Sequence, residues 1–174
     1  MKESHAELID IAREARREVI RMIGGIGVGH VGGCLSVMEA MVYLYYREMN
    51  IRPHEPSWPE RDRFVMSKGH AGPALYTMLG MKGYFGRELF QTLNQPGTKL
   101  PSHCDMRLTT GVDMTAGSLG QGLSAAVGMA LAARLDKKEY RTYCIIGDGE
   151  QQEGQVWEAA MYAAGQKLDN LVVL

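Results

Sequence analysis

Three of the five histidines of the chain lie in short segments of small residues. These segments are Gly29-His30-Val31-Gly32-Gly33, Gly69-His70-Ala71-Gly72 and Pro101-Ser102-His103-Cys104-Asp105. A single histidine in such a segment is more often structural than catalytic. Three of them indicate a polar pocket, because histidine can donate to phosphate or substrate hydroxyls and can exchange protons near neutral pH.

A second candidate site follows a predicted buried strand, Tyr143–Ile146, at Gly147-Asp148-Gly149. The glycines allow backbone N–H groups to approach a phosphate, and Asp148 offers a hard oxygen ligand for magnesium or calcium. The same tripeptide is also common in turns that bind nothing. Two further carboxylates, Glu153 and Glu158, follow at the start of a predicted helix and favour the binding interpretation.

A third segment, Thr115-Ala116-Gly117-Ser118-Leu119-Gly120-Gln121-Gly122, precedes an alanine-rich stretch. Its small residues fit backbone contact with a flat or anionic group near the N-terminus of a helix. A tight turn that enters a helix explains the same glycines equally well, so both interpretations stay open.

Two other sites match parts of the sequence less well. Residues 27–32 formally match GxGxxG, but they follow an amphipathic helix rather than a strand, which is the wrong context for a dinucleotide site. A zinc site made of His30, Cys34, His103 and Cys104 has spacings that match no standard zinc pattern.

The N-terminal half must position these segments with helices. Apolar residues from Leu8 to Ile23 recur at helical spacing and predict an amphipathic helix that ends near Gly24-Gly25. Ser36-Val37-Met38-Glu39 has the pattern of a capping box and predicts a second helix from Ser36 through Tyr45. The segment 50–62 contains three prolines, which predicts an irregular surface excursion.

The rest of the chain alternates strands and helices. Strands are expected at 64–66, 143–146 and 171–174, and helices from Pro73 to about Lys82, at 122–135 and at 156–166. This order predicts an α/β fold with a parallel sheet flanked by helices, whose ligands bind beyond the carboxyl ends of the strands. We expect a single domain over residues 1–174, incomplete at its C-terminus because the chain ends within a predicted strand.

Composition excludes several classes of function. The chain has 174 residues and a formal net charge of −1, with no basic block that would predict nucleic-acid binding. No stretch approaches the roughly 20 apolar residues of a membrane span. Three widely spaced cysteines predict a reducing, cytoplasmic environment rather than a disulfide framework.

Taken in order, four blocks resemble the N-terminal, thiamine diphosphate-binding region of transketolases along nearly the whole chain. The blocks are residues 29–33, 62–70, 115–122 and 147–154. They are most similar to split transketolases, in which the domains that bind the cofactor diphosphate and pyrimidine are separate polypeptides. One block alone would be weak evidence, but four in order are specific.

The resemblance implies a role for each group of site residues. Asp148 would be a ligand of Mg²⁺ (or Ca²⁺ or Mn²⁺), and Gly149 and His70 would contact the cofactor diphosphate. The rings of thiamine diphosphate would be lined by the main chain of Gly117, Ser118 and Leu119. Glu153 and Glu158 would be carboxylates near the subunit interface, where they would link the paired active sites. The residues that hydrogen-bond the sugar and the covalent intermediate would be His30 and His103.

The implied reaction transfers a two-carbon ketol unit from a ketose (phosphate) to an aldose (phosphate), carried by the cofactor. The implied partner is a C-terminal transketolase subunit with the pyrimidine domain, in a hetero-oligomer of two copies of each chain. Val31 and Cys104 stand where the family usually, or often, has proline, which alters loop stiffness. A second metal ligand, an asparagine, is expected beyond Leu174.

Two alternatives remain at this level. Another thiamine diphosphate enzyme, such as a 1-deoxyxylulose-5-phosphate synthase or a 2-oxo acid dehydrogenase component, would share the cofactor segments. His30 and His103 favour transketolase, because sugar hydroxyls need such partners. A non-catalytic fragment or regulatory subunit would keep the fold and bind a partner chain without the cofactor.

Overall fold

The computed structural model describes residues 3–174, which form a three-stranded parallel sheet covered by helices on both faces. The strands are β1 (Arg63–Met66), β2 (Thr142–Ile145) and β3 (Leu171–Val173), in the order β1-β2-β3. The α-helices are α1 (His5–Ile26), α2 (Val31–Leu35), α3 (Met38–Tyr43), α4 (Gly72–Lys82), α5 (Gln121–Leu135) and α6 (Gly154–Gly165). The predicted α/β fold is confirmed.

Side chains of β1 and β2 alternate between two cores. Phe64, Met66, Tyr143 and Ile145 pack with α1, α3 and α4, whereas Val65 and Cys144 pack with α5 and α6 on the other face. This alternation follows from the period of two in a β-strand. The predicted crossover helix is α6, which connects β2 to the parallel neighbouring strand β3.

Helix α1 is the longest helix described and is capped at both ends. Ser4 accepts a hydrogen bond from the N–H of Glu7 while the Glu7 carboxylate accepts one from Ser4, which is a capping box. The helix runs to Ile26, slightly beyond the predicted end, and Gly27 closes it with a left-handed φ of 71°. Its predicted apolar stripe is buried in the larger core, at Ala12, Ala15, Val19, Met22 and Ile23.

The predicted capping box at Ser36 is wrong. Ser36 ends the short helix α2 with helical dihedrals, φ −65° and ψ −22°, and its hydroxyl donates to the carbonyl of Gly33. An N-cap needs an extended backbone to aim its oxygen at the following N–H groups. The next helix, α3, starts only at Met38 and is extended by a π-helical turn at Leu44–Glu48.

The carboxyl ends of β1 and β2 lead directly into the segments singled out in the sequence. Strand β1 continues through Ser67 into a 3-10 turn at Gly69–Ala71, and α4 follows with Pro73 in its first turn, as predicted. Strand β2 continues into Gly147 and a 3-10 turn at Gly149–Gln152. Among the residues described, no helix is both long and apolar enough to span a membrane.

Candidate active site

Three histidine rings from separate segments meet at this edge of the sheet. His30 precedes α2, His70 lies in the 3-10 turn after β1, and His103 lies in the loop that follows α4. The ring centroids of His30 and His70 are 5.1 Å apart, those of His30 and His103 5.9 Å, and those of His70 and His103 6.5 Å. The predicted polar pocket is therefore present, and these residues will be called the histidine cluster.

Two rings of the histidine cluster are held neutral. Burial lowers the pKa of His70, and the neighbouring His30, His103 and Lys68 lower it further, against an opposing effect of Glu150. Burial also lowers the pKa of His103, with His30 as the second cause. A neutral imidazole has one N–H donor and one ring nitrogen that accepts, so each ring can both donate to and accept from a hydroxyl.

The loop that contains Gly117, Ser118 and Leu119 lies against the histidine cluster. A Cβ added to Gly69 would overlap the carbonyl of Ala116, so only glycine permits this close approach of the two backbones. The N–H of Ala116 donates to the carbonyl of Cys104 at 3.0 Å, which joins the loop to the residue after His103. A Cβ at Gly117 would lie 3.7 Å from the His103 ring.

The turn after β2 presents an open surface. Asp148 and Gly149 are exposed, whereas Gly147 is buried. Asp148 makes no side-chain hydrogen bond to the helical turn that it precedes, and a Cβ added to Gly149 would meet no atom within 4 Å. The Asp148 carboxylate and the Gly149 backbone are therefore accessible to a ligand.

Lys68, which the sequence reasoning did not single out, adds a positive charge beside this turn. Its side chain is 8% exposed, and its Cβ and Cδ atoms lie 3.7 Å from the position of a Cβ at Gly147. Its Nζ is 3.5 Å from the Ser36 hydroxyl. A buried ammonium group at this place favours a phosphate over a neutral ligand.

Glu150 is the second residue that the sequence reasoning missed. Its carboxylate is 1% exposed and accepts from the Ser67 hydroxyl at 2.5 Å, from Gly120 N–H at 2.7 Å and from Gly147 N–H at 2.9 Å. These bonds join the end of β1, the entrance to α5 and the end of β2. Glu150 therefore fixes the segments that would surround a cofactor. The only local signal was its position immediately after Gly147-Asp148-Gly149.

The two carboxylates predicted to lie near a subunit interface, Glu153 and Glu158, are exposed at the start of α6. The same helix exposes Trp157 (57%), Met161 (68%) and Tyr162 (50%). Exposed apolar groups of this size beside charged residues are typical of a surface that binds another protein chain. The roles of the two glutamates stay predictions.

Neither alternative ligand site gains support from the geometry. The thiols of Cys34 and Cys104 are buried and point to the backbone carbonyls of His70 and Gly69, at 4.0 and 3.8 Å. Within residues 3–174, no group of three or more His, Cys, Asp or Glu side chains is arranged to hold a metal ion. Residues 27–32 follow helix α1 rather than a strand, so the dinucleotide context is also missing.

Comparison with known proteins gives the same family throughout. A family model described as "Transketolase, thiamine diphosphate binding domain" matches residues 8–174. The chain is 60% identical over 172 residues to the 6-deoxy-6-sulfo-D-fructose transketolase subunit SqwG of Clostridium sp. (strain MSTE9), covering 99% of the chain and 62% of that protein. It is 44% identical over 159 residues to one of the subunits of the apulose-4-phosphate transketolase of Phocaeicola vulgatus, covering 91% and 56%.

Solved structures agree with these sequence matches. The transketolase of Campylobacter jejuni superposes with a TM-score of 0.92 at 33% identity, covering 98% of this chain and 28% of that one. The transketolase of Leishmania mexicana superposes with a TM-score of 0.91 at 32% identity, covering 99% and 27%. The chain thus spans about three fifths of the separate subunits (62% and 56%) and about a quarter of the longer enzymes (27% and 28%). This chain belongs to the transketolase family, in the part that carries the thiamine diphosphate-binding domain.

Proposed function

We propose that the chain is part of the thiamine diphosphate-binding subunit of a two-chain transketolase, which moves a two-carbon ketol unit from a ketose or ketose phosphate to an aldose or aldose phosphate. The observation that carries the proposal is the histidine cluster, whose three rings lie within 6.5 Å of one another at the carboxyl edge of the sheet. Such a cluster offers several donors and acceptors to a polyhydroxylated substrate.

The residues around the Gly147–Gly149 turn fit the cofactor and its cation. Asp148 would bind Mg²⁺, or Ca²⁺ or Mn²⁺ in its place, because two phosphates beside a carboxylate require a bridging positive charge. The backbone of Gly149, the ring of His70 and the buried ammonium group of Lys68 would hold the diphosphate. The open space above Gly149 supports this assignment.

The backbone of Gly117, Ser118 and Leu119 would flank the rings of the cofactor. This loop lies between His103 and the turn that carries His70, as the contacts of Gly69 and Gly117 show. When bound, thiamine diphosphate supplies the nucleophilic carbon that no side chain of this site provides. The protein's own contribution is to place the sugar and to move its protons.

Both His30 and His103 would act on the sugar. When the bond between the second and third carbons of a ketose breaks, the hydroxyl on the third carbon becomes a carbonyl and loses its proton. The neutral ring nitrogen of His103 can accept this proton or hold the hydroxyl, and its lowered pKa keeps that nitrogen free near neutral pH. The exposed ring of His30 is open to the rest of the carbon chain.

A companion chain would complete the site. Two similar proteins are named as transketolase subunits, which supports the existence of a partner chain. We propose that this partner carries the pyrimidine domain and that the assembly contains two copies of each chain. The exposed apolar surface of α6, with Glu153 and Glu158, supports a protein contact there. Three free, buried cysteines support a reducing compartment such as the cytoplasm.

The test is ketol transfer by the complete subunit purified together with its companion chain. D-Fructose 6-phosphate or D-xylulose 5-phosphate is mixed with an aldose, and mass spectrometry follows the appearance of a sugar two carbons longer than that aldose. We expect the product only when both chains, thiamine diphosphate and Mg²⁺ are present, with omission of each as the control. A parallel reaction contains pyruvate in place of the ketose phosphate, and pyruvate consumption there without any ketol transfer would instead place the protein among the 2-oxo acid or deoxyxylulose phosphate enzymes.

A further inference from the structure

A narrow cleft of only about 10 Å³, with room for one group the size of a hydroxyl, lies beside the histidine cluster, between the C-terminal end of α1 and the loop that precedes His103. Its apolar lining comes from the end of α1, Pro73 and Leu93. Its polar lining residues are His30, His70, Asn94 and Ser102. The cleft thus continues the polar surface of the cluster onto two residues for which the proposed reaction gives no role.

The backbone of Asn94 is fixed although its side chain is exposed. Asn94 has a left-handed φ of 55°, and its N–H donates to the carbonyl of Leu100 at 2.9 Å, which closes a short loop. The loop is anchored by Leu93 and Leu100, which are 2% and 0% exposed. Asparagine is one of the few residues other than glycine that adopt this conformation readily. The backbone therefore fixes the position of the Asn94 Cβ atom, from which the carboxamide extends, before any ligand arrives.

The polar groups of Asn94 and Ser102 are available to a ligand. Within residues 3–174, neither side chain makes a hydrogen bond to the protein. The adjacent carboxamide of Gln95 differs, because it donates to the carbonyl of Gln91 at 2.9 Å. A free carboxamide offers two donors and an acceptor, and a serine hydroxyl offers a donor and an acceptor.

We propose that Asn94, assisted by Ser102, determines sugar specificity by hydrogen-bonding a hydroxyl on the part of the ketose beyond the transferred two carbons. The inference rests on the proposed ketol transfer. The cleft lining contains no lysine or arginine among the residues described, so its groups suit a neutral hydroxylated chain better than a phosphate or sulfonate. A site built to hydrogen-bond a hydroxyl discriminates against substrates that lack it.

The test compares two donors of the same ketol unit in the complete two-chain enzyme, with one common aldose acceptor. D-Fructose 6-phosphate has hydroxyls beyond the transferred carbons, whereas 3-hydroxypyruvate has none and loses its carboxylate as CO₂ when the bond between its first and second carbons breaks. The variant Asn94→Gly removes the carboxamide and still permits the left-handed backbone. Its kcat/KM should fall about tenfold for fructose 6-phosphate and change less than about twofold for hydroxypyruvate.

Two further variants sharpen the result. The ratio of interest is kcat/KM for fructose 6-phosphate divided by kcat/KM for hydroxypyruvate. Ser102→Ala should lower this ratio by a smaller factor than Asn94→Gly does. Gln95→Ala, which removes a carboxamide from the same loop but outside the cleft, should leave the ratio unchanged. Because both donors are measured on one preparation, the ratio does not depend on the fraction of folded enzyme.

Equal losses on both donors, or no loss on either, would overturn the role of Asn94 and leave ketol transfer intact. An unaltered ratio for Asn94→Gly together with a changed ratio for Gln95→Ala would also overturn it. Failure of the unmodified complex to transfer a ketol unit from either donor would overturn the proposed function itself, and this inference with it.

Discussion

The histidine cluster and the Gly147–Gly149 turn lie at the same edge of the sheet, but this chain completes them to different extents. The cluster brings three rings together within 6.5 Å from segments of this chain alone. The turn presents one exposed carboxylate, Asp148, and within residues 3–174 no group of three or more His, Cys, Asp or Glu side chains is arranged to hold a metal ion. The proposed sugar site is therefore formed by segments of this chain, whereas the proposed cation site would need further ligands such as phosphate oxygens.

The two regions are also supported differently. A Cβ at Gly33 would lie 3.4 Å from two atoms of the His70 ring, and one at Gly117 would lie 3.7 Å from the His103 ring, so the backbone of each glycine passes beside a ring. The turn is fixed from below by three hydrogen bonds to the buried Glu150 and is open above. A rigid base under an open surface suits the binding of a cofactor as a preformed unit.

The largest expected effect is on turnover after removal of a ring from the sugar side. His30→Ala or His103→Ala in the two-chain enzyme should lower kcat by roughly 10²–10⁴, the usual contribution of a positioned proton donor or acceptor. Cofactor affinity should change little, because Asp148, Gly149 and His70 remain. Steady-state kinetics and thiamine diphosphate titrations on the same preparations check this. A collapse of cofactor binding with normal kcat at saturating cofactor would reverse the roles of the two regions.

The next effect concerns the cation side. Asp148→Ala should weaken Mg²⁺-dependent binding of thiamine diphosphate by about 100-fold or more, since the substitution removes a direct metal ligand. Calorimetry with and without Mg²⁺ measures the change, and circular dichroism verifies that the fold is kept. Asp169→Ala, which removes an exposed carboxylate from the opposite edge of the sheet, is the matched control. Equal affinities for Asp148→Ala and Asp169→Ala would contradict the assignment.

A third prediction concerns the base of the turn. Glu150→Ala should lower the free energy of unfolding by on the order of 3 kcal/mol, because two backbone N–H groups and a hydroxyl lose their buried acceptor. The exposed Glu153→Ala should stay within about 0.5 kcal/mol of the parent. Urea denaturation of the complete subunit measures both variants. If Glu150→Ala were as stable as Glu153→Ala, the three hydrogen bonds would not support the turn.

Most of the fold could be predicted from the sequence because its signals are local. The apolar periodicity of α1, the proline at the start of α4 and the short apolar strands each depend on neighbouring residues. Helix α2 could not be predicted in this way, because Gly32 and Gly33 disfavour a helix, whereas the packing of Cys34 and Leu35 against the core favours one. That hidden helix also explains the wrong capping box at Ser36.

In the candidate site, too, residues with a local sequence signal could be predicted, and residues that depend on distant contacts could not. The three histidines stood out because each lies among small residues, and the structure confirms that they meet. Glu150 did not stand out, since its partners Ser67 and Gly120 are 83 and 30 residues away in the chain. Asn94 was likewise missed, because only the closed loop and the cleft beside His30 give its carboxamide a context. Hydrogen bonds between residues that are far apart in the chain leave little local pattern in a sequence.

The smallest predicted effect is on the pH dependence of stability, to which His70 and His103 of the histidine cluster contribute. The pKa values of His70 and His103 are lowered from the usual 6.5, so the unfolded chain takes up these protons before the folded chain as the pH falls. Their contribution to stability is therefore constant above pH 6.5 and becomes unfavourable as the pH falls from 6.5 through the lowered pKa values. Carboxylates also titrate in acid, so the informative quantity is the difference between parent and variant.

We expect His103→Gln to weaken the dependence of Tm on pH between neutral pH and the window just below 6.5, because it removes one ring that resists protonation in the folded state. His70→Gln should act in the same direction, because burial, the two neighbouring rings and Lys68 lower the pKa of His70. His54→Gln, an exposed site in the segment 50–62, is the matched control. Thermal melts of the complete subunit over this pH range measure all three variants. A slope that responds to His54→Gln as much as to His103→Gln would mean that the closeness of the rings in the histidine cluster has no electrostatic consequence.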